Sequence, residues 1–391
     1  MDIGRQQWHT GYESRSIVER MAAKDQKGKP MKVLCVTGHS DRPEAETFIG
    51  LKGRGVDIQI VCPSDAPHYS RLAQAGLSVV GLAPQGRIDM PMIARLRRML
   101  IQEEIDILHL FNNRAVSNGI MAARGLPVKI VAYRGIVGNV SFFNPASWMT
   151  YLHPRVDRII CVAEAVRQYF LQMKFLSLRV PPEKPVTIYK GHHLDWYAAP
   201  PADLNQFGIP KGAFVVCCTA NFRPRKGLHF LIEATHLLHE IKDCHLLLIG
   251  EMNASNLLEL IGKSPMKDRI HLAGFRTDAP AVQGACDVAV LPAVKREGLP
   301  KVIIEAMAYG TVPVVTDSGG SPELIEDGIS GLIVPPRDAS AIAGAISYLS
   351  RHPGRRKTMG EHARNRIKND FRIEETIERT FCLYRQLLGS G

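Results

Sequence analysis

Two glutamates and a cluster of cations stand where an α/β chain concentrates its chemistry. The segment Leu291–Gly310, LPAVKREGLPKVIIEAMAYG, carries Glu297 ahead of a helical run and Glu305 within it. Pro300 suits the first helical position, where a missing N–H costs nothing, Gly310 suits the end, and Pro313 lies just beyond. Glu297 then falls in the loop before the helix, with the Gly298 and Leu299 amides at the helix's positive end. Such amides suit a diphosphate, and Gly298 has no side chain to obstruct a close backbone approach. Glu305 lies roughly 7.5 Å beyond Pro300 at about 1.5 Å per residue. It sits in VIIEAMA, apolar nearly all round, where a carboxylate needs a partner to offset its burial. The paired hydroxyls of a ribose are one candidate and an internal Arg is the other.

A second group lies in Thr219–Gly227, TANFRPRKG, between an apolar run and the helical pattern LHFLIEATHLL. Arg223, Arg225 and Lys226 are therefore expected in a strand-to-helix loop. Cations there neutralise a departing diphosphate, a task that otherwise falls to a metal ion; an exposed basic turn is the plain alternative. Thr316–Pro322, TDSGGSP, is a third such loop, with two glycines before a helix expected from about Pro322 to Glu326. No D-x-D occurs, so a metal-bridged diphosphate is not indicated, and no H-E-x-x-H or comparable spacing suggests another metal site.

Positioning these loops requires parallel strands with crossover helices. Strand-like runs read Lys32–Thr37, Val56–Cys62, Ser78–Leu82, Ile105–Leu110, Val128–Tyr133, Arg158–Val162 and Val186–Tyr189, with helical stretches such as Met92–Glu103 and Ala163–Met173 between them. A Pro-rich break follows, from Pro181 to Pro210, and the alternation restarts with Phe214–Thr219, His245–Gly250, Arg269–Leu272, Val288–Leu291, Val312–Thr316 and Gly331–Val334. The fold class is α/β: two Rossmann-like domains joined near residues 195–210 and facing a central cleft, where the carboxyl ends of the strands place ligands.

Composition removes several classes. The 391 residues, 45% hydrophobic and 22% charged, describe a globular chain with ample core. No apolar run approaches the ~20 residues of a membrane span, and the first thirty residues lack a signal-peptide core, so secretion is not expected. The eight cysteines include no C-x-x-C pair and lie mostly in apolar runs such as VLCV and FVVCC, which fits reduced thiols in a cytoplasm. A net charge of +11 favours anionic partners. Part of it is the run Arg351–Arg372, either a solvated helix face or an electrostatic contact with anionic membrane. Nucleic acid is not expected, because no recognition motif accompanies the charge. Neither half shows G-x-G-x-x-G after its first strand, which argues against an NAD oxidoreductase.

Taken in order, FRPRKGLHFLIEATHLL, HLLLIG, IHLAGF, CDVAVLP and EGLPKVIIEAMAYGTVPVVTDSGGSPELIEDGISGLIVPP resemble the nucleotide-binding domain of retaining GT-B glycosyltransferases of the bacterial "group 1", or family 4, class. The likeness spans about residues 214–336 and centres on the Glu-x7-Glu spacing of Glu297 and Glu305. IDILHLF, DRIICVAEAVRQYF and VTIYKGHHLD match the first half more loosely. The resemblance implies a nucleotide-diphosphate sugar as donor substrate, no cofactor or metal, and a glycan or lipid-linked acceptor, as in lipopolysaccharide or surface glycan synthesis. It implies a cytoplasmic enzyme at the inner face of the membrane. Glu297 would contact the sugar, Glu305 the ribose, and Arg223 and Lys226 the diphosphate, with Gly298, Leu299 and Gly38 completing the donor site. Glu297, Lys226 and Arg134 would be catalytic.

The sequence departs from that pattern at four places. Asn221 stands where an Arg is usual ahead of Lys226-Gly227, Arg134-Gly135 replaces a His-Gly, Lys190-Gly191 replaces an Asn-Gly, and the first Gly-rich loop is reduced to Gly38. The expected division is 1–30 as a flexible extension, 31–197 as the acceptor domain, 198–370 as the nucleotide-sugar domain, and 371–391 as a helix crossing back to the first. A sugar-nucleotide epimerase or hydrolase, and an inactive nucleotide-sugar-binding protein, are the competing readings.

Overall fold

The computed structural model describes residues 30–389 except Asn253; nearly all of the extension 1–30 lies outside the described residues. The first domain is built on seven parallel strands in the order β3-β2-β1-β4-β5-β6-β9. They are β1 Lys32–Val36, β2 Asp57–Cys62, β3 Ser78–Gly81, β4 Ile107–Leu110, β5 Lys129–Arg134, β6 Arg158–Cys161 and β9 Pro185–Thr187. A small antiparallel hairpin, β7 Lys174–Phe175 and β8 Leu178–Arg179, projects between β6 and β9. The second domain carries six parallel strands in the order β12-β11-β10-β13-β14-β15: β10 Phe214–Thr219, β11 Cys244–Ile249, β12 Ile270–Gly274, β13 Val288–Leu291, β14 Val312–Thr316 and β15 Leu332–Val334. Both are doubly wound sheets, as the alternation of the sequence predicts. Helices cover both faces, so the inner strands are mostly apolar and deeply buried; CHLLLI and VAVL are buried at every position.

Side-chain caps fix where the first domain's helices begin. Asp41 accepts from the Glu44 amide at 3.1 Å to start Arg42–Gly53, and Asn112 accepts from Ala115 at 2.9 Å to start Asn113–Ala122. Both caps follow the central strands β1 and β4, whose exits diverge at the point where the strand order reverses.

The chain passes from the first domain to the second at Lys190–His192 and returns at Phe371–Ile373. His192 N donates to Phe371 O at 2.7 Å and Ile373 N to His192 O at 3.2 Å, so the two crossings form a parallel bridge. A Cβ on Gly191 would lie 2.1 Å from Arg372 O, so only glycine lets the strands approach this closely. Beyond the bridge, helix Ile373–Gly389 packs on the first domain. Leu383, Tyr384 and Leu387 join the apolar core that contains Phe48 and Ile60. Tyr384 is fully buried, its hydroxyl 2.6 Å from His109 Nδ1.

Candidate active site

β10 ends at Thr219, and the loop after it makes one 3-10 turn, Pro224–Lys226, before Gly227 starts helix Leu228–Leu238. Gly227 has φ +68°, and a Cβ there would lie 1.9 Å from Pro292 O, so the loop presses directly on the exit of β13. Val294 N donates to Arg225 O at 2.9 Å and ties the two loops together. The consequence is an ion pair: Lys226 Nζ lies 2.9 Å from Glu297 Oε1, with Arg225 Nη1 at 3.8 Å from the same oxygen. Glu297 itself is buried. Arg223, Arg225 and Lys226 line a cavity of about 350 Å³ together with Gly250, Phe275 and Arg276.

Phe275 and Arg276 were assigned no role from the sequence. Phe275 is 72% exposed at the end of β12, and Arg276 is held by two 2.7 Å bonds to the Asp278 carboxylate. An aromatic immediately after a strand, in IHLAGF, was the available signal.

Helix Lys301–Tyr309 starts one residue later than expected. Pro300, with ψ 105°, is its extended cap rather than its first turn, and Gly310 ends it with φ +83°. The helix expected over Pro322–Glu326 is only a 3-10 turn, Pro322–Leu324. The other domain presses directly on Gly298: a Cβ there would lie 2.0 Å from Gly135 O. Behind it, a Cβ on Gly319 would meet Glu297 O at 2.1 Å, and one on Gly320 would meet Gly298 O at 2.2 Å. Bare backbone therefore stacks three layers deep behind Glu297. Leu299 packs against the cores of both domains. Close by, Glu323 reaches across and accepts from the Glu164 and Ala165 amides, each at 2.7 Å, so a carboxylate of the second domain caps helix Glu164–Gln172 of the first.

Arg134 and Gly38 lie on the other side of this seam, lining a cavity of about 810 Å³ at the strand-order reversal of the first sheet. The guanidinium of Arg134 is committed to its own loop. Nε donates to Ile136 O at 3.1 Å, Nη2 donates to Gly138 O, and the group sits 5.0 Å over the Tyr151 ring. Its contribution here is to shape loop 135–138, which carries the Gly135 carbonyl to Gly298. Gly38 admits the Asn112 amide, which would be 3.0 Å from a Cβ.

Glu305 is buried, and its partner within the chain is not an internal Arg but Lys301, one turn earlier, at 3.0 Å. Burial raises the pKa of its carboxyl and the ammonium draws it partly back. Val302 of this helix lines the 350 Å³ cavity, whereas Glu305 does not. Next to the crossing, Lys190 Nζ pairs with Asp41 at 2.8 Å and stands 3.9 Å from Glu44. Burial pushes the Glu44 carboxyl up to about 7. Among the described residues no group of three His, Cys, Asp or Glu could hold a metal ion.

Four of the eight cations in the basic run Arg351–Arg372 are used internally. Arg364 donates to Ala308 O at 2.6 Å, Arg366 to Leu324 O at 2.8 Å and Glu323 O at 3.0 Å, Arg355 to Gly328 O at 3.2 Å, and Arg356 pairs with Asp287 at 2.9 Å. These side chains fasten helix Pro353–Asp370 to its own domain. Among the described residues, no helix is long and apolar enough to cross a membrane.

Residues 201–366 match the family described as Glycosyl transferases group 1, and residues 46–196 match Glycosyltransferase Family 4. Among curated proteins, the UDP-Gal:alpha-D-GlcNAc-diphosphoundecaprenol alpha-1,3-galactosyltransferase of Escherichia coli is 25% identical over 365 residues, covering 88% of this chain and 92% of that one. The phosphatidyl-myo-inositol mannosyltransferase of Mycobacterium leprae is 26% identical over 77% of this chain and 81% of its own. In fold, the chain is similar to a glycosyltransferase from Rickettsia africae, with TM-score 0.79 and 18% identity over 93% of this chain and 100% of that one. Anabaena Alr3699/HepE, solved in complex with UDP, superposes with TM-score 0.73 and 21% identity over 92% of this chain and all of its own.

Proposed function

We propose, from the membership of this chain in the group 1 glycosyltransferases, that it moves a sugar from a nucleotide diphosphate to a lipid-linked or glycan acceptor in bacterial surface glycan synthesis, with retention at the anomeric carbon. The observation that carries the donor half is the Lys226–Glu297 pair at the end of a cavity lined by Arg223 and Arg225. Three cations facing one cavity can take up the charge of a leaving diphosphate without a metal ion. The base would lie toward Phe275 and Arg276, and the sugar beside Glu297 at the seam. On this reading Glu305 holds the ribose, exchanging its half-exposed Lys301 partner for the two hydroxyls.

The acceptor half is carried by likeness: the two curated relatives act, by name, on a diphosphoundecaprenol-linked sugar and on a phosphatidyl-inositol. In the transfer, the bond from the anomeric carbon to the phosphate oxygen breaks and a bond to the acceptor oxygen forms on the same face. The acceptor proton passes to the departing phosphate. Glu297, buried and paired at 2.9 Å with an ammonium, is poorly suited to attack carbon, which favours this front-face route over a double displacement. Incubation with a panel of nucleotide sugars and NMR of the product anomer test the proposal; donor cleavage without transfer would instead favour a hydrolase.

A further inference from the structure

The hairpin β7–β8 has a two-residue loop, Leu176-Ser177, and Leu176 holds φ +51°. Loops of this kind favour Asn or Gly, because a left-handed Leu is unfavourable by roughly 1 kcal/mol. Yet the side chain at this costly position is 82% exposed and packs no core. Its neighbours are of the same kind. Phe143 is 74% exposed, and its ring lies 4.5 Å from that of Phe175, itself 38% exposed, with Leu178 beside it. Trp148, which ends the short helix Pro145–Trp148 after Phe143, is anchored by its indole N–H to Phe142 O at 2.8 Å.

The rim is cationic. Lys174 and Arg179 face each other across the hairpin, and residues 172–182 and 139–152 contain no Asp or Glu. Arg179 donates to Leu176 O at 3.0 Å and to Leu178 O at 3.1 Å, which stiffens the tip. The patch also borders a second polar cavity, of about 460 Å³, whose wall includes Asn139, Ser141, Asn144 and Ser147 of the same loop and Arg296 of the Glu297 loop.

We infer that Phe143, Phe175, Leu176 and Leu178 form a wedge that seats the first domain in the interface of an anionic lipid bilayer, with Lys174 and Arg179 on the headgroups. Large exposed apolar side chains at a stiff turn, with two cations on the same hairpin and no carboxylate in either segment, match a surface that is greasy within and negative outside. This moves the membrane contact from the run Arg351–Arg372, half of whose cations are engaged within the domain, to the mouth of the cavity whose wall includes Arg296. The inference rests on the lipid-linked acceptor proposed above. Its test reads binding without turnover, so the two fail separately.

The full chain is sedimented with vesicles of phosphatidylcholine alone and of phosphatidylcholine mixed equally with phosphatidylglycerol. Binding is expected only to the mixed vesicles. It should fall about tenfold or more in Phe143→Ser/Leu176→Asp, with an unchanged melting midpoint because both side chains are exposed. Lys357→Glu/Lys368→Glu, in the basic run, should bind as the parent does. Failure of the parent to bind mixed vesicles at low salt would overturn the inference, as would full binding by the wedge variant. So would a concentration-dependent dimer that Leu176→Asp splits, since the occupant would then be a second copy.

Discussion

Gly298→Ala probes whether the two domains work as a closed unit. The added Cβ would lie 2.0 Å from Gly135 O and 3.0 Å from Val162 Cγ1, whereas ordinary contact begins at 3.4 Å, so the seam must part by about 1.4 Å. The obstructing atom is a backbone carbonyl, and loop 135–138 is pinned by Arg134, so the clash cannot be relieved by turning a side chain. Either the domains separate or the Glu297 loop retreats from Lys226. Each displaces groups that must meet across the cleft, and a shift on the order of 1 Å costs about 10²-fold in rate, or about 2.7 kcal/mol. Each domain keeps its own core, so the melting midpoint should move by no more than about 4 °C. Gly344→Ala is the matched control, because a Cβ there meets nothing within 4 Å. Turnover of the preferred nucleotide sugar is the assay. A Gly298→Ala enzyme within about threefold of the parent would refute the idea that this seam positions the chemistry.

Other outcomes follow from the same geometry. Lys226→Ala, which leaves Glu297 without its 2.9 Å partner, should lower turnover by roughly 10²–10³ with a smaller change in KM, checked by steady-state kinetics. Activity should survive EDTA if the cationic loop alone carries the diphosphate; loss with rescue by magnesium or manganese would contradict that. Glu305→Gln should weaken binding of the free nucleoside diphosphate in calorimetry while remaining folded; unchanged affinity would assign Glu305 to structure alone. His109 is buried with its pKa pushed down from 6.5 to about 3, so the unfolded chain binds the extra proton. The stability from keeping it neutral is complete above pH 6.5 and is lost as pH falls toward 3. His109→Leu should therefore flatten the decline in urea midpoint between neutral and mildly acidic pH.

The sheets were legible because parallel strands buried on both faces leave unbroken apolar runs; Phe214–Thr219, Val288–Leu291 and Val312–Thr316 match the structure end to end. The Glu297–Glu305 spacing was legible because a loop and a helix set it locally. Pro300 was misplaced by one residue because proline serves equally as cap and as first turn. What stayed hidden is non-local. Glu323 capping Glu164, Gly135 against Gly298 and Tyr384 beside His109 join residues far apart in the chain, and no periodicity records such meetings. Lys301 as the partner of Glu305 is legible in the sequence, since residues four apart meet across one helical turn.

The return crossing at Phe371–Ile373 also sets an order of assembly. The first domain's core is completed by Leu383, Tyr384 and Leu387, which are synthesised after the second domain, whose strands lie wholly between Phe214 and Val334. During synthesis the later domain can therefore finish folding before the earlier one, the reverse of the usual progression. Until the terminal helix arrives, the nascent first domain exposes the apolar groove around Phe48 and Ile60. A chain cut after Arg372 would thus harm the half of the molecule farthest away in sequence, while the nucleotide-side domain keeps its core up to Phe371.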